Sequence, residues 1–269
     1  MSNVANQVLT HRRGGALWIS INREDRRNAL NPAVIGGIHQ AMTSAAGDDT
    51  VRAIVLTGVG EKAFCAGADL GSGPGVFAAA LDEPTTDFGR LARLVRGIGI
   101  PLIARINGAC VAGGMGLMAL CDLEIAADHA RFGLPEVKVG VFPMQVLVYL
   151  RRMIPPRHFS YLCLTGELVS AARALEMGLV NEVLPRAELD PRVDALVELL
   201  SLASPRAIRR GKYAMAAMES MSFDGALAFA ETQIALMSRT EDAQEGLAAF
   251  SEKRSPGWVL KKEGETPHD

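Results

Sequence analysis

The sequence holds no apolar run near the roughly 18 residues that cross a bilayer, and its start, MSNVANQVLTHRR, lacks the apolar core of a signal peptide. A membrane role is therefore not expected, and a cytoplasmic location is. With 28 Lys and Arg against 30 Asp and Glu, the formal charge is −2, which gives no long-range basic field to gather nucleic acid or an anionic membrane surface. Any anionic ligand has to be held locally. Cys65, Cys110, Cys121 and Cys163 show no CxxC spacing and are expected to be reduced thiols. GxSxG, HExxH and Cys/His clusters with metal-ligand spacing are missing as well, which speaks against a serine hydrolase or a zinc enzyme. His11, His39, His129, His158 and His268 are scattered and read as surface or structural residues, so no metal is expected.

What is present suffices for a large core, since 269 residues include 49% hydrophobic and 22% charged side chains. Leu17, Ile19 and Ile21 alternate with Trp18, Ser20 and Asn22, a period of two that suits a half-buried strand. Asn31-Pro32 then opens a helix. Asn is a good N-cap, Pro needs no donor at the first helical position, and Ile35, Ile38, Met42 and Ala45 follow at helical spacing. Residues 52–57 read as a strand buried on both faces. Residues 58–75 are rich in glycine and read as loop, open to close approach by a ligand. Leu91, Leu94, Val95 and Ile98 mark a second helix. A third strand is expected over 101–106, followed by a glycine-rich turn and a short apolar helix near Gly114, and a fourth over 121–127.

Alternating strands and helices predict an α/β core with parallel pairing over residues 1–187. Helical stretches at 188–202, 205–220, 223–238 and 241–254 then follow without a strand between them, so 188–260 reads as a helical region and 261–269 as a disordered tail. Met215, Met218 and Met221 in that region are taken as core or subunit packing.

Gly114-Met115-Gly116-Leu117-Met118-Ala119 matches the dinucleotide fingerprint GxGxxA, with Glu136 about twenty residues on. The context is poor: Asn107 to Gly113 intervene where a tight turn is needed, and the next strand ends well before Glu136. An NAD-dependent oxidoreductase is thus the third-ranked reading.

Three segments together resemble the enoyl-CoA hydratase/isomerase (crotonase) family, from Ile21 to about Trp258. They are Ile21-Asn22-Arg23 with Asn28-Ala29-Leu30-Asn31; Val55-Leu56-Thr57-Gly58 with Ala63-Phe64-Cys65-Ala66-Gly67-Ala68-Asp69-Leu70; and Ile106-Asn107-Gly108, Ala112-Gly113-Gly114, Cys121-Asp122 and Phe132-Gly133-Leu134-Pro135-Glu136. The resemblance implies a spiral ββα core with a helical C-terminal trimerisation region, a homotrimer or hexamer, and an acyl-CoA thioester as substrate, with coenzyme A part of that substrate and no other cofactor.

It further implies an oxyanion hole from the N–H groups of Ala68 and Gly113, and Glu136 as the acid/base. Ala66, Ala29, Asp69, Leu70 and Pro135 would contact the ligand, Arg26 would meet CoA phosphates, and Phe250 and Lys253 would reach CoA bound to a neighbouring subunit. The chain departs from the hydratase pattern at Gly116, where hydratases carry a second glutamate, and at Met144, where some relatives place an aspartate. Asp82, Glu83 and Asp87 lie in a loop from which a substitute carboxylate could come. The leading expectation is an enoyl-CoA hydratase or isomerase acting on a fatty- or branched-acyl CoA. Second is a CoA-thioester-binding relative with little catalysis, because Gly116 removes half of the usual pair.

Overall fold

The computed structural model describes residues 7–72 and 82–259. Strands β1 (Val8–Arg13) and β2 (Ala16–Ile21) form an antiparallel hairpin, with His11 opposite Trp18. Helix α1 (Pro32–Ala46) follows. Its cap is as the sequence predicts: the Asn31 side chain accepts a hydrogen bond from the Val34 N–H, and Val34, Ile38, Met42 and Ala45 are buried.

From there the chain winds through three turns of one repeated unit, a strand of a large sheet, a short strand of a small sheet, and a helix. The first turn is β3 (Ala53–Gly58), β4 (Ala63–Cys65) and α2 (Asp87–Gly97). The second is β5 (Leu102–Ile106), β6 (Ala109–Val111) and α3 (Gly113–Met118). The third is β7 (Leu123–Ala127), β8 (Arg131–Gly133) and α4 (Met144–Met153). Helix α5 (Pro156–Thr165), β9 (Val169–Ser170), α6 (Ala171–Glu176) and β10 (Glu182–Leu184) complete the core.

The large sheet runs β1-β2-β3-β5-β7-β10 and is parallel from β2 onward; the small one runs β4-β6-β8-β9, parallel through β8. This is the expected α/β spiral of ββα units. Two sequence expectations need correction. The 58–75 stretch is not continuous loop, because β4 and a 3₁₀ turn at Leu70–Ser72 lie in it; Gly73 and Gly75 fall outside the described residues. Likewise, the glycine-rich turn after β5 contains β6. Strands of three residues are too short to show a period, so glycine dominated the reading of both.

One face of the large sheet carries Ile19, Ile54, Leu56, Leu102 and Ala104 into the main core with α1, α2 and the small sheet. The other carries Trp18, Val55, Ile103 and Ile125 against Leu189, Val193 and Val197 of α7 (Leu189–Leu202). Helices α8 (Pro205–Met218), α9 (Phe223–Met237) and α10 (Glu241–Glu252) follow, each begun by a Ser or Thr whose side chain accepts from a first-turn N–H. Among the described residues, no helix is long and apolar enough to cross a membrane. The 261–269 tail lies outside the described residues.

Candidate active site

The three residues expected to act together all follow strands of the small sheet. Ala68 lies just past β4, Gly113 just past β6 and Glu136 just past β8, and these strands are neighbours in register, Cys65 opposite Cys110 and Val111 opposite Gly133. The parallel sheet therefore delivers the three to one edge, the carboxyl end, where ligands of parallel sheets usually bind. They line a cavity of about 1180 Å³ with Leu30, Ala66, Phe88 and Val146 among its walls.

Backbone geometry at this edge frees two donors. Leu30 N–H bonds to the Gly67 carbonyl (2.7 Å) and Asp69 N–H to the Leu30 carbonyl (2.8 Å), so a parallel bridge pins both neighbours of Ala68 and leaves its own N–H unclaimed. Gly113 is the first residue of α3, where no intrahelical acceptor exists. Among the described residues neither N–H finds an acceptor. The two loops touch: a methyl built on Gly113 would stand 3.7 Å from the Ala68 nitrogen, and one built on Gly67 would stand 2.6 Å from the Ala112 Cβ.

That approach needs unusual backbone on both sides. Gly67 has φ 90° and Ala112 has φ 52° with ψ −127°, the latter a conformation disfavoured for any residue with a Cβ. Ala112 is held there by its N–H, which donates to the Gly133 carbonyl of β8 (2.9 Å). Small residues with free N–H groups on a shared wall suit an oxygen that gains negative charge, where one such donor is worth about 10²–10³ in rate.

Glu136 stands in a 3₁₀ turn, Pro135–Val139, that packs on α5. Its Oε2 is buried and has no hydrogen-bond partner among the described residues. Burial raises its pKa above the ordinary carboxyl value, only partly opposed by its own backbone N–H. The Cys163 thiol of α5 lies near enough to feel that carboxylate; burial first, and the Glu136 charge second, push it to about 11, so it stays neutral. A carboxyl group raised by desolvation is suited to carry a proton near neutral pH.

Of the other predicted ligand contacts, Ala66, Leu70 and Pro135 line the cavity. Asp69 does not; its carboxylate takes a hydrogen bond from the Arg23 guanidinium (2.7 Å), which holds its pKa down, and Arg23 also donates to the Ala29 carbonyl (2.6 Å). Asp69 and Ala29 thus form a tie between the β2–α1 turn and the loop bearing Ala68. Buried Asn28 adds to it, donating to the Val59 and Ala63 carbonyls and accepting from the Arg23 N–H. Arg26 is exposed beside Asp25, and Phe250 and Lys253 stand exposed at the end of α10, away from this cavity.

Asp82 is exposed and does not line the cavity; Glu83 and Asp87 do, but both are ion-paired to Arg90. Phe88 carried no signal in the sequence, whereas Arg23 and Asn28 lie inside the first motif.

An α/β spiral of ββα units with a half-buried carboxyl outside any ion pair among the described residues and two bare N–H groups on one edge defines the class. The chain belongs to the enoyl-CoA hydratase/isomerase family, whose model matches residues 11–261. It is 33% identical over 242 residues to the crotonyl-CoA hydratase of Syntrophomonas wolfei, covering 90% of this chain and 93% of that protein. It is 32% identical over 250 residues to the (E)-benzylidenesuccinyl-CoA hydratase of Thauera aromatica, covering 90% and 94%. The crystal structure of an enoyl-CoA hydratase from Mycobacterium smegmatis superposes with a TM-score of 0.85 at 32% identity, covering 94% of this chain and 99% of that one.

Proposed function

We propose that this protein binds an enoyl-CoA thioester with its carbonyl oxygen on the N–H groups of Ala68 and Gly113 and moves a proton on the acyl chain with Glu136. The observation that carries this reading is the half-buried Glu136 carboxyl, its Oε2 enclosed and without a hydrogen-bond partner among the described residues, in the same cavity as the two free donors. With one carboxyl not committed to an ion pair, the reaction it suits best is double-bond migration. Glu136 takes a proton from the α-carbon of a 3-enoyl thioester, the electron pair passes into a dienolate held by the two N–H groups, and the proton returns at the γ-carbon. Atoms and charge balance without metal or redox cofactor, and coenzyme A enters only as part of the substrate. Hydration is the second reading, favoured because the relatives just named are hydratases; it would draw on Asp87 or Glu83.

The same reading includes assembly. Met215, Phe223, Ile234, Leu247 and Phe250 on α8 to α10 are each 64–85% exposed, an apolar surface that a homotrimer or hexamer would cover. Phe250 and Lys253, remote from their own cavity, would then be free to meet the CoA of a neighbour.

The test is Glu136→Gln. Acyl-CoA affinity should hold within a few-fold while turnover of 3-enoyl-CoA falls by about 10²–10⁴. Undiminished turnover would remove Glu136 from the chemistry; tight acyl-CoA binding with no turnover in either protein would make this a binding protein.

A further inference from the structure

Gly113 and Gly116 lie three residues apart on α3 and therefore share a helix face, the one turned toward the cavity at Gly113. At Gly116 that face is covered. A Cβ built on Gly116 would stand 2.8 Å from Cζ and 3.4 Å from Cε2 of Phe88, and 3.1 Å from Cγ2 of Val146. Phe88 comes from the first turn of α2 and Val146 from the first turn of α4; both are over nine-tenths buried, and both line the cavity. The two helix starts are tied together by the Gln145 amide, which donates to the Thr86 hydroxyl, itself the N-cap of α2. The cover over Gly116 is therefore hydrocarbon, and it is held in place from both sides.

A water molecule kept at a fixed position in a protein interior requires about two to four polar partners. Gly116, Phe88 and Val146 offer none from their side chains. Asp87 of α2 and Glu83 before it line the same cavity, but both carboxylates are taken up by Arg90, which also donates to the Thr85 carbonyl. Placing a carboxylate at residue 116 would not restore a water site by itself, since its first carbon collides with an aromatic ring that has packed neighbours.

Resting on the function proposed above, we infer that Phe88 and Val146 form an apolar plug over Gly116 that keeps a reacting water off the acyl chain. This plug, as much as the lack of a second carboxylate, sets the protein to proton transfer over hydration. Hydration adds water across the double bond, hydroxyl to the β-carbon and proton to the α-carbon, so it fails without an ordered water. Proton migration between α- and γ-carbons consumes none and proceeds against a dry wall.

The experiment measures 3-enoyl-CoA isomerisation and 2-enoyl-CoA hydration on the full chain and takes their ratio, for the wild type, Phe88→Ala, Gly116→Glu and the double variant Phe88→Ala/Gly116→Glu. Opening the plug with Phe88→Ala is expected to raise the hydration-to-isomerisation ratio by up to about tenfold, the worth of one hydrogen bond to a newly admitted water. Gly116→Glu alone should gain less than the double variant, whose hydration rate exceeds the product of the two single effects. Should Phe88→Ala fold poorly, Val146→Ala reads the same ratio from the other side of the plug. A ratio within about twofold of wild type in all opened variants, or wild-type hydration that already outruns isomerisation, overturns the plug. Failure of the underlying reading looks different: it shows as a Glu136→Gln variant that keeps wild-type isomerisation.

Discussion

Glu124 stands on β7 opposite Ala104 of β5, with its side chain on the same face as Ala126, which packs in the main core. It is 5% exposed, and burial, followed by the nearby Asp122 charge, pushes its pKa from the ordinary 4.5 up to about 8. The groups around it do not neutralise it. The Cys110 and Cys121 thiols are themselves pushed upward by burial, and Lys212 of α8 is engaged with Asp122 and the Ile100 carbonyl.

Because the folded-state pKa lies above the unfolded one, the folded protein holds a proton that the unfolded chain releases. The contribution to stability is complete below the ordinary carboxyl pKa and is lost as pH rises through about 8. Between those limits the slope approaches about 1.4 kcal/mol per pH unit, which amounts to a loss on the order of 3 kcal/mol from pH 5 to pH 8.

Glu124→Gln keeps the shape and removes the titration, so the two proteins should differ by an amount that depends on pH. The assay is urea denaturation of both proteins from about pH 5 to about pH 8, reading the difference in unfolding free energy. Any fixed penalty for burying an amide shifts that difference by a constant and leaves its slope alone. Wild type should lose ground to the variant by on the order of 3 kcal/mol across the range. A difference that stays constant with pH would refute the reasoning and mean that Glu124 is ionised and compensated throughout.

Gly67→Ala places a methyl 2.6 Å from the Ala112 Cβ at φ 90°, so it should part the loops bearing Ala68 and Gly113 and lower turnover by about 10²–10³. Unchanged kcat with unchanged circular dichroism would show that the separation of these N–H groups does not matter. Phe223→Asp and Ile234→Asp put charge on an apolar surface and should convert a sedimenting trimer or hexamer to smaller species. A wild-type chain that sediments as a monomer would defeat that prediction at once.

How much of this could be read in the sequence depended on the length scale of each signal. The period of two at Leu17, Ile19 and Ile21 and the Asn31-Pro32 cap are local patterns, and both elements stand where they imply. The C-terminal helices were legible for the same reason, their limits agreeing to within two residues. Strand β1 was missed because four of its six residues are exposed and show no alternation. Helices α4 to α6 span ten, ten and six residues between flanking prolines and glycines, too short for a clear helical period in the sequence. At the site, Ala68, Gly113 and Glu136 were legible as motif members. The Arg23–Asp69 tie was not, since 46 residues separate its partners and the aspartate read as a ligand contact. Nor was the packing of Phe88 on Gly116, because a glycine in a sequence does not reveal what fills the space its side chain leaves.

That last point bears on how one scaffold can host several reactions. The donors and the carboxyl are fixed by β4, β6 and β8, three short strands whose register leaves little freedom in where Ala68, Gly113 and Glu136 emerge. The cover over Gly116 is built from the first turns of α2 and α4, through Phe88 and Val146. On the function proposed here, enolate stabilisation would belong to the sheet and access of water to the helices. A residue such as Phe88, outside every motif that identifies the family here, is then positioned to decide which reaction follows once the enolate has formed. Comparison of two chains sharing the three motifs should accordingly look first at the residues packed over the position of Gly116, and only then at whether that position carries an acid.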